Sequence, residues 1–174
     1  NSFTNNTITG NTSTDADGST LFLSGVADIS NNNIHSNQST YEAYLGSDGA
    51  VINVSGHSLD LNVENNWWGS DDSSVVAAKV YDFWDNASLG TFDYTPVLTA
   101  PDTTAPPSPP QNVAAQTGAT SIAFSWSANL ESDITGYKLH YDTDAAGYPY
   151  ANSVDVSNVT SYTLASLNTG TTYY

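Results

Sequence analysis

The amino-acid sequence predicts an all-β protein in two parts, a stack of short strands followed by an antiparallel β-sandwich. An Asn-rich pattern occurs three times in residues 1–71, which predicts the stack. Apolar and polar residues alternate with period two after residue 111, which predicts the sandwich. A Pro-rich stretch separates the two patterns and marks a boundary. The 174 residues are enough for one or two domains.

The Asn-rich pattern repeats in matched columns. Every column steps first by 26 and then by 34 residues, and the columns are Phe3/Ile29/Val63, Asn6/Asn32/Asn66, Ile8/Ile34/Trp68 and Asn11/Asn37/Asp71. Self-similarity at such periods indicates a solenoid. Asn tolerates left-handed backbone geometry at sharp corners, and stacked Asn side chains can bond from coil to coil. The pattern therefore predicts a parallel β-helix.

These columns resemble the right-handed parallel β-helix repeat of secreted proteins. In that family the sequence NNWWG, here residues 65–69, commonly lies near the C-terminal end of the helix. The resemblance implies that residues 1–99 are the last coils and the cap of such a helix. It also implies an intact protein that binds or degrades extracellular polysaccharide.

Two further strands are predicted between the Asn-rich corners, at residues 21–25 and 51–56, and both end in Ser-Gly. The remaining stretches, residues 12–19 and 38–50, are expected to project as loops.

A short capping helix is predicted over residues 72–82. Asp71 and Asp72 offer N-cap groups, and Val76 and Val80 fall on one helical face. The last coil of a solenoid must be covered, and the expected cover is this helix with Phe83, Trp84, Leu89, Phe92, Tyr94 and Leu98.

Residues 100–110 are predicted to form a semi-rigid, polyproline-like linker. Beyond it, the inward positions of two predicted strands are Ile122, Phe124 and Trp126, then Tyr137, Leu139 and Tyr141. This part resembles a fibronectin type III domain in its entry sequence PPQNV and in the run Leu167–Tyr173, where Thr169 replaces the usual Pro. The resemblance makes Tyr173 a corner tyrosine. It implies that residues 111–174 are an incomplete immunoglobulin-like sandwich without its last two strands.

Composition narrows the classes of function. The net charge is −16, with Lys79 and Lys138 as the only cationic side chains. Such a chain is unsuited to nucleic acid or to anionic membrane surfaces. It has no Cys and no apolar run long enough for membrane insertion. Abundant Thr, Ser, Asn and Tyr favour an extracellular or cell-surface location. Asn1 is not an initiator and no signal peptide is present, so we expect an internal piece of a longer chain.

The Trp residues are candidates for stacking on sugar rings. Trp67 is predicted to point out of the coil, where it would either contact carbohydrate or lie under the cap. Trp68 shares the inward column with Ile8 and Ile34 and is predicted to be core. Trp84 is expected to pack in the cap, and Trp126 in the core of the sandwich.

No catalytic residue, resident metal or cofactor is predicted. The carboxylates and imidazoles of the coils fall in different columns, namely Asp28, Asp60, Glu64, His35 and His57. The loop Asp15–Gly18 is similar to a calcium loop but lacks the further oxygen ligands, so Ca2+ stays an open alternative to a turn. The predicted role is a non-catalytic scaffold, in a protein whose active site, if it is a lyase or hydrolase, lies elsewhere. The alternative is a purely structural surface protein, such as an adhesin or a matrix or filament subunit.

Overall fold

The computed structural model describes residues 2–12, 21–24, 28–38, 41–45, 50–55 and 61–174. It divides into two compact units, Asn1–Ser108 and Pro109–Tyr174. The candidate calcium loop Asp15–Gly18, together with His57 and Asp60, lies outside the described residues. In the described part of the chain no helix has the length and apolar character needed to cross a membrane.

The described elements of the first unit are short strands and one helix. They are β1 (Ser2–Thr4), β2 (Thr7–Thr9), β3 (Leu21–Ser24), β4 (Asp28–Ser30), β5 (Asn33–His35), β6 (Tyr41–Leu45), β7 (Ala50–Ser55), β8 (Leu61–Asn62), α1 (Ser73–Ala77), β9 (Val80–Tyr81) and β10 (Phe92–Asp93). All of the strand pairs here are parallel, in sheets of order β1-β4-β8-β10, β2-β5 and β3-β7-β6-β9.

The strand register joins the residues that the repeat places in one column. Phe3 pairs with Ile29 in β1 and β4, and Ile8 pairs with Ile34 in β2 and β5. The two further predicted strands are present as β3 and β7, and they pair with Ser24 opposite Ser55. Apolar columns thereby stack into one buried core, formed by Ile8, Ile29, Ile34, Leu61, Val63, Trp68, Val76, Val80 and Phe92.

Two local predictions are wrong. Residues 41–45 form strand β6 rather than a loop, because β7 and β9 pair with the two edges of this Tyr-containing segment. The helix begins where predicted, with Asp72 as its N-cap, but it ends at Ala77. Val80 and Tyr81 instead pair with β6, which suits β-branched and aromatic residues better than a continued helix.

Residues 102–108, which we call the strap, are attached to the first unit. The Asn33 side chain donates to the Asp102 carbonyl at 2.9 Å, and its Oδ1 accepts from the Asp102 N–H at 2.7 Å. Thr7 donates its hydroxyl to the Pro106 carbonyl. Ala105 and Ser108 are buried. Most of the stretch predicted as a linker thus lies against the Asn-rich strands, because their side chains supply partners for its backbone.

The second unit is antiparallel throughout its described strands. They are β11 (Gln111–Thr117), β12 (Ile122–Ser127), β13 (Tyr137–Tyr141), β14 (Asn152–Ser157) and β15 (Ser161–Leu164). One sheet has the order β11-β12-β15 and the other is β13-β14. The inward positions of β12 and β13 are half-buried, as predicted. Trp126 and Tyr137 join the sheets edge to face, with ring centroids 5.2 Å apart.

Candidate functional site

Buried and half-buried Asn side chains form a hydrogen-bonded ladder along the first unit. Asn66 Oδ1 accepts from both the backbone N–H and the side-chain amide of Asn32, at 3.0 Å each. Asn32 Oδ1 accepts in the same way from Asn6, at 2.9 and 3.0 Å. Asn11 and Asn37 repeat this arrangement in the next column, at 3.0 and 3.1 Å. The ladder satisfies the amides of Asn32 and Asn66, which are fully buried, and it carries no nucleophile or proton acceptor for chemistry.

Each copy of the repeat has a pair of adjacent Asn residues, and the first Asn of the pair has a different structural role from the second. Asn5, Asn31 and Asn65 adopt φ of 58°, 56° and 56°, the left-handed geometry of a sharp corner. The second Asn of each pair, which follows directly, turns inward and forms the ladder. The predicted role of Asn at the bends is therefore confirmed at all three copies.

The adjacent residues Trp67 and Trp68 are both buried. Trp68 is 1% exposed and belongs to the core, as its column predicts. Trp67 is 9% exposed, and its Nε1 has no hydrogen-bond partner among the described residues. Lys79 donates from Nζ to the Trp68 carbonyl at 2.6 Å and so attaches the segment after α1 to the backbone at Trp68. A sugar contact at Trp67 stays a prediction, and little of its indole is open to a ligand.

His35 lies between two serine hydroxyls. Its Nδ1 is 2.9 Å from Ser36 Oγ and its Nε2 is 3.2 Å from Ser108 Oγ, while the ring is 4% exposed. This contact holds the end of the strap. In the described ranges, no group of three or more His, Cys, Asp or Glu side chains is arranged to hold a metal ion.

Asp82 is a buried carboxylate that organises residues 82–92. Its side chain is 3% exposed and accepts from the backbone N–H of Trp84 at 3.0 Å and of Phe92 at 2.8 Å. Its carbonyl accepts from the N–H groups of Asp85 and Asn86 at 3.0 and 2.9 Å. Phe83 closes the loop by donating its N–H to the Gly90 carbonyl at 2.9 Å. The sequence does not single out Asp82, since nothing in its spacing distinguishes it from a solvated Asp.

This loop presents two aromatic rings to solvent. Trp84 is 82% exposed and Phe83 is 40% exposed, with their rings edge to face at 5.5 Å. The prediction that Trp84 packs in the cap is wrong, because the Asp82 contacts turn its backbone outward. Phe92, by contrast, is 4% exposed and lies in the core, while Leu89 and Tyr94 pack against it.

In the second unit, Asp142 holds the loop that follows β13. Its carboxylate accepts from the N–H groups of Ala151 and Thr143, both at 2.7 Å. The Ala151 contact, followed by that of Thr143, lowers the pKa of Asp142 below its usual range. The loop also carries Tyr148, which is 81% exposed and touches the His140 ring edge to face at 6.1 Å. The carboxylate is used for turn structure, which agrees with a loop role rather than a metal site.

The end of the second unit has the contact expected of a corner tyrosine. Tyr173 Oη accepts from the Asn168 N–H at 3.0 Å.

Residues 108–174 match the family model of the fibronectin type III domain, so that part of the prediction is confirmed. No curated protein matches the chain. Fibronectin type III domains are common scaffold and binding modules of extracellular and surface proteins.

Proposed function

We propose that the chain is a non-catalytic scaffold of a secreted or cell-surface protein that binds extracellular polysaccharide. In this proposal residues 1–99 are the C-terminal coils and cap of a right-handed parallel β-helix. Residues 100–110 connect them to the fibronectin type III domain of residues 111–174.

The observation that carries the proposal is the Asn ladder. Its members are spaced by 26 and 34 residues. The side-chain amide of Asn6 donates to Asn32 Oδ1, and that of Asn32 donates to Asn66 Oδ1. Such a ladder requires successive turns of chain to lie directly above one another, which is the defining relation of a solenoid. The parallel pairing of Phe3 with Ile29 and of Ile8 with Ile34 supports the same stacking.

The scaffold role is supported by how the polar groups of the first unit are used. Buried Asp82 accepts backbone N–H groups, and buried His35 lies against Ser36 and Ser108. These groups stabilise loops and the strap. Catalysis would need them to exchange protons with a substrate, so the proposal assigns none to these residues.

The kind of partner follows from charge and composition. A chain with net charge −16 repels acidic polymers, so neutral polysaccharides are the favoured ligands. The second candidate function is a structural surface protein. It is favoured by the buried side chains of Asp82 and His35, which bond to groups of the fold itself.

The test is a binding screen of the purified chain against neutral and acidic polysaccharides, with and without Ca2+, recording affinity and polymer length. Binding of neutral polymers without cleavage is the expected result. Cleavage by the chain would contradict the non-catalytic role. Absence of binding to every polymer would favour the structural surface protein. Trp67→Ala provides the arm for the predicted Trp67 contact. Because the ring is buried and its removal lowers stability, binding is compared at a temperature at which circular dichroism shows the variant folded, and the predicted contact requires loss of binding there.

A further inference from the structure

The exposed pair Phe83–Trp84 differs from the other indoles of the chain. Trp67 and Trp68 are buried and Trp126 is half-buried, whereas Trp84 is 82% exposed. Large apolar side chains are ordinarily withdrawn from water, so an indole left outside needs a reason. The ring of its neighbour Phe83 contacts Trp84 edge to face and leaves much of the indole open.

The backbone beneath the rings is firmly held. Asp82 bonds the N–H groups of Trp84 and Phe92 through its carboxylate and those of Asp85 and Asn86 through its carbonyl. Phe83 bonds the Gly90 carbonyl across the loop. Because the loop is closed by hydrogen bonds at its base, the backbone beneath the rings is fixed in advance, and a ligand has to order only the two side chains.

We propose that the Phe83–Trp84 pair is a binding surface for a sugar ring of a neutral polysaccharide. This inference rests on the proposed function and deepens it by assigning the contact. The C–H groups of a sugar ring carry partial positive charge, and the face of an indole is the negative region of its quadrupole. The flat face of the Trp84 indole stacks on one sugar ring, and the Phe83 ring supports the edge of that sugar.

The surroundings of the pair favour a sugar over other partners. Asp85, Asn86 and Ser88 are exposed in the same loop and offer acceptors and an amide for sugar hydroxyls. Two rings provide far less than the roughly 800 Å² per partner of a typical protein interface. The net charge of −16 disfavours binding of an acidic polymer. The ammonium group of Lys79 does not offset this charge as an anion-binding group, because it is bonded to the Trp68 carbonyl.

The experiment measures binding of the whole chain to a soluble neutral glucan and mannan, with a carboxymethylated glucan as the acidic counterpart. Variants are Trp84→Ala, Trp84→Phe and the control Tyr148→Ala, which removes a ring of matched exposure from the second unit. We expect Trp84→Ala to weaken neutral binding at least about tenfold, the range for loss of a stacked ring. Trp84→Phe should recover part of the affinity, and Tyr148→Ala should change it less than twofold. Ligand-induced quenching of indole fluorescence should disappear in Trp84→Ala, and the melting temperature should not change.

The outcomes separate the inference from the function on which it rests. Neutral binding that Trp84→Ala retains would overturn the contact and leave the proposed function in place. Equal losses in Trp84→Ala and Tyr148→Ala would also overturn the assignment to this loop. If the unmodified chain binds neither neutral polymer, both the inference and the proposed function fail.

Discussion

Asn33 and Asp102, 69 residues apart, bond to each other twice, with the Asn33 side-chain amide pairing to the Asp102 backbone as a neighbouring strand would. The distances are 2.9 Å for Asn33 Nδ2 to Asp102 O and 2.7 Å for Asp102 N to Asn33 Oδ1. Asn33 is fully buried, so this pair satisfies an amide that water does not reach. A side chain thereby decides where the Pro-rich strap runs.

Replacing Asn33 should release the strap. Asn33→Ala removes both bonds to Asp102 and should lower the free energy of unfolding of the first unit by about 2 kcal/mol. Limited proteolysis should cut residues 100–110 faster in the variant, and urea unfolding measures the energy. Thr104→Val is the control, because its hydroxyl bonds lie at the exposed surface. Equal protease sensitivity of both variants and the unmodified chain would contradict the role of Asn33.

The ladder depends on amide donors as well as on shape. Asn66→Asp preserves size and the acceptor for Asn32 but loses the donor to the Ile29 and Val63 carbonyls, each 2.6 Å away. We expect a loss of about 3 kcal/mol at pH 7, because a buried carboxylate would face carbonyl oxygens. Chemical unfolding followed by the fluorescence of Trp67 and Trp68 measures it.

The matched control for the ladder is the preceding Asn. Asn65→Gly should be nearly neutral, since Gly adopts the φ of 56° found there without steric cost. A large loss for Asn65→Gly, or none for Asn66→Asp, would mean that the corner rather than the ladder stabilises this turn.

Lys79 should stabilise the first unit through its bond rather than its charge. Lys79→Met retains much of the apolar stem but removes the 2.6 Å bond to the Trp68 carbonyl, and should cost about 1.5 kcal/mol. Lys138→Met changes the net charge equally at an exposed site and should cost little. Thermal unfolding of the two variants distinguishes the explanations, and equal losses would indicate a general charge effect.

Asp142 should make the second unit sensitive to acid. Its backbone contacts, with Ala151 first and Thr143 next, lower its pKa below the ordinary 3.8, so folding favours the ionised form. The resulting stabilisation is complete above pH 3.8 and is lost as the pH falls through the lower folded pKa. Asp142→Asn should therefore reduce the melting temperature at pH 7, and the gap to the unmodified chain should narrow as the pH falls below 3.8.

The control for this pH dependence is Asp133→Asn, which makes the same charge change at an exposed position. Its melting temperature should follow that of the unmodified chain from pH 7 to pH 2. A gap for Asp142→Asn that is independent of pH would show that the turn depends on shape instead of on the carboxylate charge.

The sequence alone predicted the structural features that follow from repeated residue patterns. The sequence places Asn6, Asn32 and Asn66 above one another, because all columns have the same spacings. Only one strand register then stacks apolar residues on apolar residues and amides on amides. The alternation at Ile122, Phe124 and Trp126 predicted the half-buried face of β12 for the same reason, since strand geometry has a fixed period. The N-cap role of Asp72 depends only on neighbouring residues, so it could also be predicted from the sequence.

Only the tertiary structure decided what depends on distant, unrepeated partners. Trp67 and Trp84 both looked like surface or cap aromatics, yet one is buried and the other exposed. Trp84 is turned outward by Asp82, whose buried carboxylate has no signature in the sequence. The course of the strap depends on Asn33, 69 residues away. These contacts join sites that are far apart in the chain and belong to no repeat, so no spacing in the sequence encodes them.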